Sequence, residues 1–291
     1  MIRRAAALLL TISVMAGITT LTGPTNAAPV MMGSLRESFQ PTDGKVFILV
    51  IGNDARSGNP TNSRADAIHI VGINTKTMKA GILNFPRDSW VNIPGYGSGK
   101  INEALYHGGP EMLARTLQNI TGIPLDYWTM VGFQPFRHIV KALGGVKMHV
   151  PTRVYDPSGS GARLRAGTQK LGSHQALAYL RTRHSFGGGD VTRTFNQGRF
   201  LIALLKKLRG EVGRSPAALL RWMSVTQRYA RFDMSVDELF RLGVLATQLK
   251  PKDVDNVTVP VSVGNVGAAS VVFISGSARS IYNRFRLNGS L

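Results

Sequence analysis

The chain has 291 residues, with 35 Lys and Arg against 16 Asp and Glu and a formal charge of +19. That length suits one large domain or two small ones, and 43% hydrophobic residues suffice for a substantial core. The charge calls for an anionic partner (nucleic acid, anionic lipid or a phosphate-bearing substrate), while the absence of cysteine excludes disulfides, zinc–thiolate sites and thiol nucleophiles.

Residues 1–28 read as a signal peptide or an N-terminal anchor. Arg3 and Arg4 form a short positive region, Ala5 to Leu21 is apolar and uncharged, and Thr25-Asn26-Ala27 offers small residues for cleavage. The absence of charge between Arg4 and Arg36 suits an uncleaved anchor equally. Both readings export the rest of the chain, which removes chromosomal nucleic acid as a partner. Residues 29–43, with Pro, Gly, Ser and Gln, form a linker, and residues 44–291 a single folded domain with no internal repeat.

Lys45 to Ile51 (KVFILVI) is a short, continuous, β-branched run and predicts a buried strand ending at Gly52-Asn53-Asp54. A polar loop leads to Arg64-Ala65-Asp66, then to strands over Ala67–Ile73 and Lys79–Phe85. Asp54 and Asp66 thus fall at the ends of neighbouring strands, where α/β sheets bind ligands. Two carboxylates there can hold a hard cation such as Mg²⁺, or simply pair with Arg56 and Arg64. Arg87, in Phe85-Pro86-Arg87-Asp88, is expected at the same sheet edge. The run from Pro94 to Asn102 resembles a phosphate loop, but Gly95 to Lys100 is one residue short and Ile101 replaces the Ser/Thr. It therefore reads as a flexible glycine loop presenting Lys100.

From Gly109 to Gly144 the pattern is helix, strand, helix: Met112, Leu113, Thr116, Leu117 and Ile120 share one face, Tyr127–Val131 is a strand, and Phe136, Ile139, Val140 and Leu143 share the next. Val146–Val150 is a strand, and Tyr155–Gly167 a polar, glycine-rich loop. Alternating helices and strands imply a layered α/β domain. A helix over Leu171–Leu180 runs into LRTRHSFGGGDVTRTFNQGR, where Arg181, Arg183, Arg193 and Arg199 meet one carboxylate, Asp190. Asp190 is expected to cap a helix over Val191–Leu208, with Arg193 in its first turn and Gln197 on the same face. A helix start with planar arginine forks suits pyrophosphate, and the alternative is a solvated basic loop with one cap. Helices follow over Pro216–Phe232 and Ser235–Leu249, strands over Val257–Val263 and Val271–Ile274, and a helix over Ala278–Arg286. Arg214, Arg221 and Arg228, at heptad spacing, form a solvated basic face rather than a membrane stripe. There is no GxSxG or HExxH motif, and of six scattered histidines only His184 lies near the arginine cluster.

Gly52-Asn53-Asp54-Ala55-Arg56, Arg64-Ala65-Asp66, Phe85-Pro86-Arg87-Asp88, Lys100-Ile101-Asn102, Leu143-Gly144-Gly145-Val146, Arg181-Thr182-Arg183 and Asp190-Val191-Thr192-Arg193 together resemble the LytR–CpsA–Psr proteins. The resemblance covers roughly Lys45 to Leu208 and implies an α/β fold, three-layer α/β/α with a central mixed β-sheet. It further implies an enzyme at the outer face of the cytoplasmic membrane or in the cell wall. Such an enzyme moves a glycopolymer from a polyprenyl-pyrophosphate carrier onto peptidoglycan through a phosphodiester bond.

Residue by residue, Asp54 and Asp66 match the Mg²⁺ carboxylates, Arg87, Arg181, Arg183 and Arg193 the pyrophosphate arginines, and Gln197 the pattern's glutamine. Arg87, Asp54 and Asp66 are then the candidate catalytic residues, and Lys100 joins the substrate-binding set. Asp54, Asp66 and Asp88 are the candidate general bases, and a prenyl tail requires an apolar channel between sheet and helices. Asn53 departs from a usual small Ser, and Asn196 from a frequent Arg, which would remove a charge from the site's rim. A lipid-pyrophosphate hydrolase and a non-catalytic exported binder of anionic polymer remain as alternatives.

Overall fold

The computed structural model describes residues 43–54, 63–183 and 185–291. The expected signal or anchor, almost all of the linker, Arg56 and His184 lie outside the described residues. Strands β1 (Lys45–Asn53), β2 (Ala65–Asn74) and β3 (Lys79–Asn84) precede a hairpin of β4 (Trp90–Ile93) and β5 (Gly97–Lys100). Helix α1 (Glu103–Thr121), strand β6 (Tyr127–Gly132) and helix α2 (Phe133–Ala142) come next. Four short strands follow: β7 (Val146–Val150), β8 (Val154–Asp156), β9 (Ala162–Leu164) and β10 (Gly167–Leu171). Helices α3 (Ser173–Arg181), α4 (Gly189–Val212) and α5 (Ala218–Tyr229) lead to β11 (Arg231–Phe232), α6 (Val236–Gln248) and β12 (Val254–Thr258). The hairpin β13 (Val261–Val266) and β14 (Ala269–Ile274) and helix α7 (Ala278–Asn288) complete the order.

The main sheet runs β11-β6-β1-β2-β3-β12. β1 lies parallel to β6 and antiparallel to β2, and β3 antiparallel to β2 and parallel to β12, so the sheet is mixed. This arrangement brings the C-terminal ends of β1, β3, β6 and β12 and the N-terminal end of β2 to one edge. Strand alternation divides the apolar residues between two faces. Phe47, Leu49, Ile51, Ile68, Ile70 and Leu83 pack against Leu105, Leu113 and Leu117 of α1 and Tyr282 and Phe285 of α7. The other face, with Ile48, Val50, Val71, Ile73 and Ile82, meets α4, α5 and α6. The fold is therefore the expected three-layer α/β/α domain. A second apolar cluster, including Val140, Val146, Val150, Leu164, Tyr179 and Phe200, joins β7–β10 to α2, α3 and α4.

Several boundaries differ from the sequence reading. Gly97–Lys100 is a strand rather than a flexible loop, because its backbone pairs with β4 despite having no β-branched side chain. Tyr155–Gly167 is no featureless loop: Val154, Ala162 and Leu164 are buried in the β8–β9 hairpin, too few and too small to register as a pattern. Helix α1 begins earlier than its apolar stripe and is kinked at Gly108 and Gly109, just before Pro110. The helix expected over Pro216–Phe232 stops at Tyr229, where Arg231 and Phe232 add an edge strand to β6. Pro260 divides the expected Val257–Val263 strand between β12 and β13. No helix of the described residues is long and apolar enough to cross a membrane.

Gly72 and Gly81 face each other across β2 and β3, and the ring of Phe285 sits directly on them. A Cβ on Gly72 would lie 2.7 Å from the Phe285 ring and 2.8 Å from the Gly289 carbonyl. Gly72→Val is therefore expected to destabilise the domain by about 2 kcal/mol or more, and Phe285→Ala by about 3–5 kcal/mol. Denaturant melts of both variants check this, and wild-type stability in Gly72→Val would contradict the packing account.

Candidate functional site

The site forms at the sheet edge where β1 and β2 end. Gly52 pairs with Ala67 but Asn53 pairs with Ala65, so Asp66 is the extra residue of a β-bulge. A bulge releases its residue from the ladder and re-aims it. Here the Asp66 carboxylate accepts a hydrogen bond from Arg87 Nη1. Its main-chain carbonyl accepts from Arg193 Nη2 at 3.5 Å and Gln197 Nε2 at 3.4 Å. Gln197 also donates to the Leu180 carbonyl at 3.1 Å, tying the end of α3 to α4.

Charges alternate around Arg87. Its Nε lies 3.8 Å from Asp88 and 3.9 Å from Asp190, while Lys100 holds Asp88 at 2.9 Å and Arg193 holds Asp190 at 2.6 Å. Burial works against the Arg87 charge, but Asp66, Asp88 and Asp190 outweigh it and raise its pKa. For Arg193 burial dominates and lowers the pKa, with Asp190 opposing and Arg87 and Arg183 adding repulsion. Asp190 is raised by burial, although Arg193 pulls it back. The Nε groups of Arg87 and Arg193 are buried without a hydrogen-bond acceptor among the described residues. Unmet guanidinium donors in a cluster already crowded with cations suit an incoming anion.

The structure brings Asp66, Arg87, Lys100, Arg193 and Gln197 into one cluster and adds Asp88 and Asp190. Arg183 is near enough to act electrostatically on both Asp190 and Arg193. Arg181 does not join: it is exposed, with its guanidinium 4.9 Å from the ring centre of Phe133. Asp190 is not the helix cap. Gly188 occupies that place and Gly189 opens α4 with φ of 53°, so Asp190 sits inside the first turn and Arg193 just beyond it. Arg64 pairs with Glu103 at 3.4 Å rather than with an aspartate. Asn53 is fully buried and donates to Met130 Sδ at 3.4 Å, so it packs β1 against β6. Asn196 is buried as well, away from any rim.

Asp54 follows β1 directly and is half-buried, one strand away from Asp66. Among the described residues no three His, Asp or Glu gather as a metal cage. Two carboxylates at adjacent strand ends still fit Mg²⁺, which binds through one or two protein oxygens together with water and substrate phosphate.

Sequence reasoning missed a polar layer beneath the arginines. His69 Nδ1 lies 2.7 Å from Asn84 Oδ1, and Asn84 Nδ2 donates to Asn256 Oδ1 at 2.8 Å and the Val257 carbonyl at 2.9 Å. Asn256 in turn donates to the Phe195 carbonyl of α4 at 3.0 Å. A Cβ on Gly198 would fall 1.9 Å from Asn256 Oδ1, so only glycine lets α4 approach this layer. The only signal in the sequence was a histidine inside an apolar strand. Beyond the layer, Leu201, Leu205 and Leu208 of α4, Trp222 and Met223 of α5 and Leu242 of α6 line a cavity of about 320 Å³ against the sheet.

Fold and site together define a layered α/β protein with a cluster of arginines and aspartates at its strand ends and an apolar cavity beneath one of its helical layers. The chain belongs to the LytR_cpsA_psr family, whose model matches residues 21–284. It is 29% identical over 262 residues to the probable cell wall biosynthesis protein LcpB of Corynebacterium glutamicum, covering 82% of this chain and 60% of that one. It is 33% identical over 179 residues to the polyisoprenyl-teichoic acid–peptidoglycan teichoic acid transferase TagT of Bacillus subtilis, covering 59% of this chain and 55% of that one. The match to each relative thus spans less than two thirds of its length. The solved structure of TagT bound to LI-WTA matches with a TM-score of 0.72 at 26% identity, covering 87% of this chain and 94% of that one.

Burial is the main cause that lowers the His69 pKa from 6.5 to about 4, with the Asn84 hydrogen bond opposing and Arg193 adding to it. The unfolded chain therefore takes up this proton first as pH falls. Stability from neutral His69 is complete above about pH 6.5 and is lost as pH falls toward 4, amounting to about 3 kcal/mol. Asp233, raised by burial to about 6, acts with the opposite sign, so the informative quantity is the difference between proteins. Between pH 7 and 4 the wild type should lose about 3 kcal/mol more than His69→Gln. Parallel pH–stability curves would contradict the burial of a neutral histidine.

Proposed function

We propose that this protein is a transferase that moves a glycopolymer from a polyprenyl-pyrophosphate carrier onto peptidoglycan, forming a phosphodiester outside the cytoplasmic membrane. The observation that carries this reading is a single stripe of α4. Arg193 and Gln197 face the cluster of arginines and aspartates, and Leu201, Leu205 and Leu208 continue the same face into the apolar cavity. At 1.5 Å per residue the stripe is about 22 Å long, a polar end followed by an apolar one. A ligand with a pyrophosphate head and a prenyl tail has the same order. The names of TagT and LcpB, a teichoic acid transferase and a cell wall biosynthesis protein, support the same class.

Arg87 and Arg193, with Arg183 at the margin, hold the pyrophosphate through paired N–H donors and stabilise charge that builds on the leaving phosphate. Asp54 and Asp66 would hold Mg²⁺, which when bound neutralises part of the pyrophosphate charge. Lys100 keeps the Asp88 carboxylate turned toward the cluster. A sugar hydroxyl of peptidoglycan attacks the phosphorus nearer the glycopolymer. The bond from that phosphorus to the bridging oxygen breaks, polyprenyl phosphate leaves, and the hydroxyl proton passes to a carboxylate at the strand ends. Such a transfer needs positioning and charge stabilisation, not a covalent nucleophile.

Two outcomes test this. Asp54→Asn and Asp66→Asn should each abolish Mg²⁺-dependent transfer to peptidoglycan, Asp54→Asn leaving the melting curve unchanged and Asp66→Asn lowering it through the lost Arg87 pair; undiminished turnover in both would remove the metal role. Arg193→Lys keeps the charge but loses the fork, and should slow transfer by about tenfold or more, roughly 1.4 kcal/mol. Product analysis with and without peptidoglycan completes the test: equal release of phosphorylated glycan in both would identify a hydrolase instead.

A further inference from the structure

One lobe carries almost no negative charge. Residues 127–189 contain nine Lys and Arg and a single acidic residue, Asp156, which is buried. Within this lobe the β8–β9 hairpin separates its two faces strictly. Val154, Asp156, Ala162 and Leu164 point inward and are buried. Arg153, Tyr155, Arg163 and Arg165 are exposed, and Tyr155 lies directly opposite Arg163. The Arg153 and Arg163 guanidiniums lie 5.3 and 5.9 Å from the Tyr155 ring centre, within reach of cation–π contact. None of these arginines has an ion-pair partner among the described residues.

The hairpin is tied to the loop that carries the site's arginines. Ser185 Oγ accepts from the Tyr155 main-chain N–H at 3.2 Å and donates to its carbonyl at 2.9 Å. Ser160 and Thr182 are joined through their hydroxyls, and Thr182 sits between Arg181 and Arg183. The hairpin therefore stands beside the loop that carries Arg183, which acts electrostatically on Asp190 and Arg193. Tyr155 is the only large apolar side chain exposed in the lobe among the described residues, so the face lacks the apolar anchors of a membrane-binding surface.

We propose that the outer face of the β8–β9 hairpin is a second subsite, which binds the polymer chain of the donor beyond its pyrophosphate. It takes acidic repeat units: Arg153 and Arg163 pair with phosphodiester or carboxylate groups, and the Tyr155 ring stacks on a sugar. This rests on the transferase reading for what the polymer is attached to. The subsite makes Arg153, Tyr155 and Arg163 determinants of polymer choice without any part in the bond exchange.

The test uses the full chain, the double variant Arg153→Gln/Arg163→Gln, and Tyr155→Ala. The probes are a lipid-free poly(glycerol phosphate) fragment, geranyl pyrophosphate, and phosphatidylglycerol vesicles. Affinity for the polymer fragment should fall by about tenfold in the double variant and measurably in Tyr155→Ala. Affinity for geranyl pyrophosphate should stay at the wild-type level in both. Unchanged polymer affinity would overturn the subsite, as would a loss shared equally with the vesicles, which would make the face a membrane contact. Wild-type protein that fails to bind geranyl pyrophosphate would sink the pyrophosphate reading separately, leaving the polymer comparison to decide the hairpin.

Discussion

One residue out of register organises the site. The bulge at Asp66 turns a single strand position into two ligands for the rest of the molecule, a carboxylate for Arg87 and a free carbonyl for Arg193 and Gln197. Arg87 arrives from the end of β3, Arg193 and Gln197 from α4, and Lys100 from the β4–β5 hairpin through Asp88. Only α4 is far from the others in sequence. Asn256 gives α4 a second hold on the sheet, through the Phe195 carbonyl. The cluster's geometry thus depends on a local defect in an otherwise regular sheet, a common place for a sheet protein to aim functional groups.

Helix α4 then connects two environments that rarely share an element. Its N-terminal third is buried among charges, and the rest of the same face is apolar and lines the cavity. The layer of His69, Asn84 and Asn256 lies between them and fixes the helix height, with Gly198 allowing the close approach. Because His69 is kept neutral by burial, this layer adds no further cation beneath an already repulsive set of arginines. A charged residue there would raise the cost of bringing Arg87, Arg183 and Arg193 together.

Much of this was legible in the sequence. A layered α/β domain followed from short β-branched runs alternating with helical stripes, and its three-layer form from the family resemblance. The meeting of Asp54, Asp66 and Arg87 at one edge followed from each standing at a strand end. What escaped was set by geometry with no compositional trace. The bulge is a matter of register, and nothing in Arg64-Ala65-Asp66 distinguishes a bulge from a strand start. The turn into α4 is made by Gly188 at the cap position and Gly189 at positive φ, which leaves Asp190 in the first turn rather than at the cap. Arg181 shares the Arg-Thr-Arg motif with Arg183 but is exposed and lies over Phe133. The β8–β9 hairpin was hidden because its inner face is so small that its outer arginines looked like loop composition. The walls of the apolar cavity come from the sheet and three helices whose placement no periodicity fixes.

The central claim is that one face of α4 reads a polar head and an apolar tail in sequence. Binding of prenyl pyrophosphates of increasing chain length to the wild type and to Leu205→Trp tests it most directly. Each buried methylene contributes about 0.8 kcal/mol, so wild-type affinity should rise by at least about tenfold per isoprene unit until the cavity is filled. Leu205→Trp, which occupies the cavity, should bind the shortest pyrophosphate as the wild type does and gain little from longer chains. Affinity independent of chain length in the wild type, or an equal gain with length in Leu205→Trp, would contradict the account.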